Sequence, residues 1–433
     1  VLAATCLPLF LFACSDSDNT FNPNPPEPPP AGPTFAADIV WTEYGIPHVP
    51  AEDWGSLGYG YGWSYATQNY CVAMADFVRA KGESARYLDD GDLNLDLVMK
   101  LYNDDERIQR IFFDALPDYL LELGEGYVAG LNRYLRDTGV DNLPEGEEGC
   151  RGAEWVREVD TFDLGRLLHK RILRGSADPL APLIVAAEAP ETVASLSLPT
   201  PEALTRQFAA LTPESVRDSL GLPEPEMLGS NAYAVGAEAV QGGNTGLLFG
   251  NPHFPWQGPD RFYMSHLTIP GEYDVMGAAL HGLPLVVLGF NKDVAWSHTV
   301  STGDRFTFYE LTLNPDNALQ YEYDGEFRDL EPITVSAEVR TDSGGIDTVE
   351  HTFWNTHNGT VVDLGAVDGL LGGWPNVFGT IVAYRDANLD NLRGIEQWLR
   401  MGQAGNLDEL KVEMEAIGIP WVNTIAADRF GDA

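Results

Sequence analysis

The chain has 433 residues, 44% of them hydrophobic and 21% charged, enough apolar material for one large layered fold or for two domains. Its 65 acids against 26 bases give a formal charge of −39. Such a field repels nucleic-acid phosphates and anionic lipid headgroups, so a nucleic-acid-binding or peripheral-membrane role is disfavoured, and a solvated acidic surface is the plain interpretation.

Val1 to Ala13 is apolar but too short to span a bilayer, and it ends in Leu-Phe-Ala-Cys14. With no initiator Met, its start reads as clipped. A small residue before Cys14 and a polar, Pro-rich stretch from Ser15 to Thr34 resemble a bacterial lipoprotein signal and tether. Phe12 departs from that pattern, and simple secretion with cleavage nearby is the alternative. Either route exports the chain, to the periplasm or to an outer-membrane anchor through a lipid on Cys14. With Cys6 and Cys14 set aside, Cys71 and Cys150 remain. In an oxidising compartment they are expected to form a disulfide that closes a long loop and stabilises by roughly 4 kcal/mol. Far apart and without a Cys-x-x-Cys, they would make a poor zinc or redox site.

Residues 35–189 are expected to be mainly helical. Ile39–Trp41 has the look of a short strand, followed by a turn at Tyr44-Gly45-Ile46-Pro47-His48. From about Asp53 to Arg136 apolar residues recur at helical spacing: Ile108, Ile111, Phe112 and Ala115, then Tyr119, Leu120 and Leu123, with Pro117 as a break. Tyr127, Leu131, Tyr134 and Leu135 extend the pattern. The glycines of Gly58-Tyr-Gly60-Tyr-Gly62 have neither a phosphate loop's Lys-Ser/Thr ending nor the spacing of a dinucleotide fingerprint, so close helix packing is their expected role. Residues 190–229 are rich in Pro, Glu, Ser and Thr and are expected to form a loosely packed connector. Beyond it, Ala232–Val235, Gly246–Phe249, Leu285–Gly289 and Phe306–Leu311 are strand-like runs bounded by Gly, Asn and Pro.

Ser230 lies at the seam, in Gly-Ser-Asn-Ala-Tyr (229–233). A serine between Gly and Asn is by default a turn residue, and the lipase-type Gly-x-Ser-x-Gly elbow is absent. Its position gives it a mechanism. Cutting the Gly229–Ser230 bond would free an α-amine of pKa about 7.7–8, a base for the serine's own hydroxyl that needs no His–Asp pair.

Several motifs occur in order along the chain: Tyr-Gly-Ile-Pro-His (44–48), Leu-Gly-Tyr-Gly-Tyr-Gly (57–62), Gly-Ser-Asn-Ala-Tyr-Ala-Val-Gly (229–236) and Gly-Asn-Pro-His-Phe-Pro-Trp (250–256). Arg-Phe-Tyr (261–263), Asp-Val-Met-Gly-Ala (274–278), Gly-Leu-Pro (282–284), Trp-Ser-His-Thr-Val (296–300) and Gly-Ile-Pro-Trp-Val-Asn-Thr (418–424) follow. Together they resemble the penicillin acylase family of N-terminal-nucleophile hydrolases, in its acyl-homoserine lactone acylase and aculeacin acylase branch. The resemblance implies an α+β fold, the four-layer αββα sandwich, with residues 35–189 as α chain, 190–229 as spacer and 230–433 as β chain after autoproteolysis at Gly229–Ser230. It implies Ser230 as nucleophile and His253 as the residue that orients and tunes its amine. Val300 N–H and the Asn423 amide become the oxyanion donors. Phe254 becomes a lining residue of the acyl pocket; Trp256 and Trp296 are candidates for the same wall, with structural burial as their default. The implied substrate is an N-acylated small molecule, an N-acyl-homoserine lactone or a lipopeptide, and the runner-up a β-lactam.

The penicillin G branch holds calcium through a run of acids after the oxyanion position; here that run is Gly303-Asp304-Arg305-Phe306-Thr307, with one acid, so no metal or other cofactor is expected. The eight histidines show no zinc-type spacing. Family members continue beyond the Asn423 motif, so the chain is expected to be a fragment of a longer enzyme. Two rivals are an exported binding protein that has lost catalysis and an acidic glycosidase. Ser230, His253 and Asn423 argue against the first, and no short motif nominates the carboxylate pair needed by the second.

Overall fold

The computed structural model describes residues 34–144, 149–190, 229–258, 260–301, 303, 305–366, 372–376 and 378–433. The lipoprotein-like segment with Cys14, the tether up to residue 33, nearly all of the 190–229 connector and Asp304 lie outside the described residues.

Two short strands come first, β1 (Val40–Trp41) and β2 (Pro47–Pro50). The turn between them is tighter than the sequence suggests. Gly45 takes φ +77°, open to glycine without strain, and Thr42 N–H bonds the Ile46 carbonyl, so Pro47 and His48 already belong to β2. Asp53 then caps a long helix, α1 (Trp54–Ala80), by accepting from the Ser56 N–H. Helices α2 (Ser84–Tyr87), α3 (Leu93–Tyr102) and α4 (Asp105–Ile108) lead through a π-helical turn at Gln109–Phe113 to α5 (Asp118–Thr138). Pro117 is the N-cap of α5, the expected break. An Asp160–Asp163 capping box starts α6 (Thr161–Leu173), and α7 (Ala177–Val185) follows.

Gly58 and Gly62 of α1 serve close packing against α5, as expected, whereas Gly60 lies against Val49 of β2 and Ala37 instead of a helix. A Cβ on Gly58 would lie 2.0 Å from the Leu123 carbonyl oxygen, and one on Gly126 of α5 would lie 1.8 Å from that of Gly55. Backbone therefore touches backbone, which any side chain would prevent. A disulfide ties Cys71 of α1 to Cys150, with Cα atoms 5.4 Å apart.

After the connector the chain is mostly extended: β3 (Gly229–Val235), β4 (Leu247–His253), β5 (Phe262–Ile269), β6 (Tyr273–Leu280), β7 (Leu288–Phe290), β8 (Val294–Val300) and β9 (Phe306–Asn314). Then come β10 (Asn317–Tyr323), β11 (Glu326–Asp329), β12 (Glu331–Arg340), β13 (Ile346–Thr356), β14 (Gly359–Val362) and β15 (Thr380–Asp386). Two helices, α8 (Arg393–Gln403) and α9 (Leu407–Met414), precede the last strand, β16 (Val422–Asp428). Of the expected run Leu285–Gly289, only Leu288 and Gly289 are strand.

The first sheet has the order β1-β2-β5-β6-β7-β8-β16, with β2 and β5 parallel and the other neighbours antiparallel. The second, β11-β10-β9-β15-β14-β13-β12, is antiparallel throughout. Alternate residues of β5 and β6 (Tyr263, Leu267, Ile269, Tyr273, Val275) are buried in one core with residues of α1, α5, α6 and α8. The second sheet shares a core with α3 and α7, where Phe353 and Tyr384 are buried with Leu101 and Leu180.

The β3–β4 hairpin lies against β8 and β16. A Cβ on Gly250 would be 2.8 Å from Ser297 Oγ, and one on Gly246 3.2 Å from Ala427 Cβ. Ser297 and Trp296, adjacent in β8, point to opposite faces, and Trp296 is in the helix-side core, so the hairpin covers the face away from the helices. The class is α+β as expected, and helices, sheet and hairpin stack in the α, β, β order of the expected sandwich. Among the described residues no helix covers the hairpin's outer face, where Tyr233, Leu247 and Phe249 are more than half exposed.

Candidate active site

Ser230 begins the second residue pair of the hairpin. Gly229 faces His253, Ser230 faces Pro252 and Asn231 faces Asn251 across the antiparallel ladder. Strand alternation puts Ser230 on the face turned to the first sheet and Gly229 with His253 on the other. The Ser230 hydroxyl donates to the carbonyl oxygen of Gly229 at 2.5 Å, which holds Oγ against the peptide group it follows. His253 lies beside that peptide group: a Cβ on Gly229 would be 3.5 Å from His253 Nδ1, and His253 Nε2 is 3.4 Å from Asn231 Nδ2.

Ser230 opens on a cavity. Its walls are apolar and aromatic, from Phe254 and Phe262 near the hairpin to Leu280, Trp398 and Trp421 farther round, and Val300 closes one side. Val300 and Val422 are opposite each other in the β8–β16 ladder, and Ser301 N–H bonds the Trp421 carbonyl at 3.0 Å. They are therefore a non-hydrogen-bonded pair, and the Val300 N–H turns away from β16. On its other side the register of β7 with β8 runs over Gly289–Trp296 and Phe290–Ala295, short of Val300. The Val300 N–H is thus outside the ladder, in a residue that lines the cavity.

Asn423 is opposite Thr299, on the hairpin side of the sheet. Its side chain is exposed, and Nδ2 donates to Thr299 Oγ1 at 3.2 Å. Neither Asn423 nor His253 is on the cavity wall. The two tryptophans proposed for that wall are elsewhere. Trp296 is 1% exposed on the helix side of β8, its Nε1 donating to the Val287 carbonyl, and it fills the core. Trp256 is 92% exposed in the loop after β4. Phe254 is on the cavity wall.

The sequence reading missed His298, Trp398, Trp421 and Phe262. His298 lies two residues before Val300, so strand alternation would have placed it on the same face. Trp398 Nε1 donates to His298 Nε2 at 2.8 Å, and because indole nitrogen only donates, the His298 proton is on Nδ1, within 3.2 Å of Thr424 Oγ1. Burial pushes its pKa down to about 4, so His298 is a neutral part of the wall near neutral pH. Trp421 has φ +50°, a strained conformation for a bulky residue, and such strain gathers at functional sites. Among the described residues no three His, Cys, Asp or Glu side chains are grouped to hold a metal ion.

A penicillin amidase family model matches residues 36–433. The chain belongs to the penicillin amidase family. It is 38% identical over 405 residues to the acyl-homoserine lactone acylase PvdQ of Pseudomonas fluorescens (strain Pf0-1), covering 91% of this chain and 49% of that protein. It is also 38% identical over 411 residues to the aculeacin-A acylase of Actinoplanes utahensis, covering 92% of this chain and 49% of that one. The chain thus spans about half the length of the curated relatives it matches. Among solved structures, a thermostable penicillin G acylase from Alcaligenes faecalis is similar at 26% identity and a TM-score of 0.39, over 46% of this chain and 33% of that one.

Proposed function

We propose that this penicillin amidase family member is an exported amide hydrolase that removes the acyl group from an N-acylated small molecule, with Ser230 as nucleophile. Ser230 Oγ first attacks the Gly229 carbonyl carbon; the chain is cut there through an ester that water hydrolyses, leaving Ser230 with a free α-amine. A second cut within 190–229 releases the spacer and leaves two chains. In turnover the amine takes the Oγ proton, Oγ attacks the substrate carbonyl, and the Val300 N–H and Asn423 hold the developing oxyanion. The leaving amine departs with the proton, and water clears the acyl-enzyme. His253, beside Gly229, orients the new amine.

One observation carries this: the Ser230 hydroxyl rests on the Gly229 carbonyl and opens on an apolar cavity lined by Val300, whose N–H is outside the strand ladder. The name of the first relative supports an N-acyl-homoserine lactone as substrate, and the apolar wall suits the aliphatic tail of such a lactone or of a lipopeptide. A β-lactam acylase is the second possibility, since Phe254, Phe262, Trp398 and Trp421 on the wall suit a flat aromatic acyl group. The N-terminal segment is proposed to export the protein and to anchor it through Cys14. Denaturing electrophoresis tests the autocatalytic step. The wild type is expected as two chains and Ser230→Ala as one, and a wild type indistinguishable from Ser230→Ala sinks it. Amine release from a long-chain acyl-homoserine lactone and from penicillin G tests the substrate; release from penicillin G alone overturns the preference.

A further inference from the structure

His48 ends the Tyr-Gly-Ile-Pro-His motif and has no part in the reaction proposed above. β2 and β5 run parallel, with His48 beside His266 and Val49 beside Leu267. Val49 and Leu267 are buried in the helix-side core, so alternation puts both histidines on the opposite face, near the β1 edge of the sheet. Tyr273 and Val275 of β6 share that core, which places Asp274, between them, on the histidines' face. The β3–β4 hairpin lies over β8 and β16, at the other end of the sheet. Water therefore reaches the group: the side chains of His266 and Asp274 are 27% and 65% exposed.

The three side chains are linked in a row. His266 Nε2 is 2.7 Å from Asp274 Oδ1, and His266 Nδ1 is 2.8 Å from His48 Nδ1. Thr268 Oγ1 is 3.4 Å from both His266 Nε2 and Asp274 Oδ1. A carboxylate only accepts, so the proton of a neutral His266 is on Nε2, and its Nδ1 presents a lone pair to His48. The two rings are at 85°, so their faces do not stack and the nitrogens meet directly. One proton, on His48 Nδ1, fills the gap between them. A divalent cation can replace it if that proton leaves for water and another is taken up at His48 Nε2; both Nδ1 lone pairs then face the metal. Imidazole nitrogen suits Zn²⁺, and a metal-bound imidazole donates its other N–H to a carboxylate, the part Asp274 already plays. Two Zn–N bonds of about 2.0–2.1 Å at a tetrahedral angle set the nitrogens about 3.3 Å apart, so the pair need open by only about 0.5 Å. The histidines have no zinc-type spacing along the chain, but these two meet across 218 residues.

We infer that His48 and His266 bind one zinc-class divalent cation through their Nδ1 atoms, with Asp274 orienting His266 and water completing the coordination. Two protein ligands with open positions make an exchangeable site rather than a closed structural one. The chain's formal charge of −39 raises the cation concentration around it. β2 has four residues and is held to β5 as a parallel pair, so a metal bridge reinforces a short ladder. In a chain cut as proposed above, His48 is on the 35–189 segment and His266 and Asp274 are on the 230–433 segment, and the cation joins the two. That joining role rests on the processing proposal; the site itself does not.

The test titrates Zn²⁺ by calorimetry into the untagged, full-length Ser230→Ala protein, with excess Mg²⁺ present to occupy the acidic surface through oxygen ligands. One saturable Zn²⁺ per chain is expected, and His48→Gln is expected to remove it. Because His48 is part of the β2–β5 pair, Asp274→Asn is the second variant: it alters a mostly exposed carboxylate, keeps both imidazoles, and should weaken Zn²⁺ about 10–100-fold. With Cu²⁺ as probe, electron paramagnetic resonance should show couplings to two imidazole nitrogens in the parent. No saturable Zn²⁺, displacement by Mg²⁺, weakening of less than about threefold in either variant, or Cu²⁺ spectra without the two couplings each overturn the inference. Electrophoresis of the wild type is scored separately. A wild type that stays one chain removes the joining role with the processing proposal, and a Zn²⁺ titration that meets these expectations still leaves the site standing.

Discussion

Replacing Val300 with proline deletes one backbone N–H and leaves the rest of the site in place. Val300 and Val422 form a non-hydrogen-bonded pair, so the N–H removed is not a strand bond, and the neighbouring Ser301 N–H to Trp421 carbonyl bond is untouched. Thr299 is already extended, the conformation that a following proline demands. The folded state should therefore lose little. If the Val300 N–H stabilises the oxyanion, its loss raises the barrier by about 3–4 kcal/mol, or about 10²–10³ in kcat. Val300→Ala keeps the N–H and should stay within a few-fold of the wild type, allowing for a small change in the cavity wall. The assay is amine release under saturating substrate, with processing at Ser230 followed in parallel by electrophoresis and thermal unfolding as a control on the fold. A folded, processed Val300→Pro with kcat within about threefold of Val300→Ala would refute the assignment of this N–H.

Removing the Cys71–Cys150 bridge, by Cys71→Ala with Cys150→Ala, should destabilise by about 4.5 kcal/mol on the chain-entropy estimate for a separation of 79 residues, read from urea midpoints. Unchanged midpoints would show that the bridge does not constrain the unfolded chain. His298 and His281 are pushed down to about 4 and about 3, first by burial, and for His281 also by Arg261. Both are neutral when folded and free to protonate when unfolded. Their stability is thus complete above the unfolded value of about 6.5 and is lost as pH falls towards 4, at up to about 1.4 kcal/mol per pH unit for each group. His298→Asn should flatten that slope in urea titrations between pH 6 and 4, and an unaltered slope would remove His298 from the account. Gly126→Ala should destabilise by about 2–3 kcal/mol or more, because its Cβ would sit 1.8 Å from the Gly55 carbonyl oxygen; a thermal midpoint equal to the wild type's would contradict that packing.

Much was legible in the sequence wherever the physics is local. The helical spacing from Ile108 to Leu135, the break at Pro117, the strand runs after the connector and the pairing of Cys71 with Cys150 follow from periodicity, backbone chemistry and cysteine count. Ser230 was nominated by its place at a composition boundary, and Phe254 by its motif. Tertiary structure decided what needs distant strands to meet. Trp296 and Trp256 are alike in sequence terms, yet one is sealed in the core and the other is in water, because burial depends on what folds over a position. The exclusion of the Val300 N–H from the ladder follows from register with β16, more than a hundred residues on. The meeting of His48 with His266 joins strands 218 residues apart in sequence, and no periodicity in either of them carries that information.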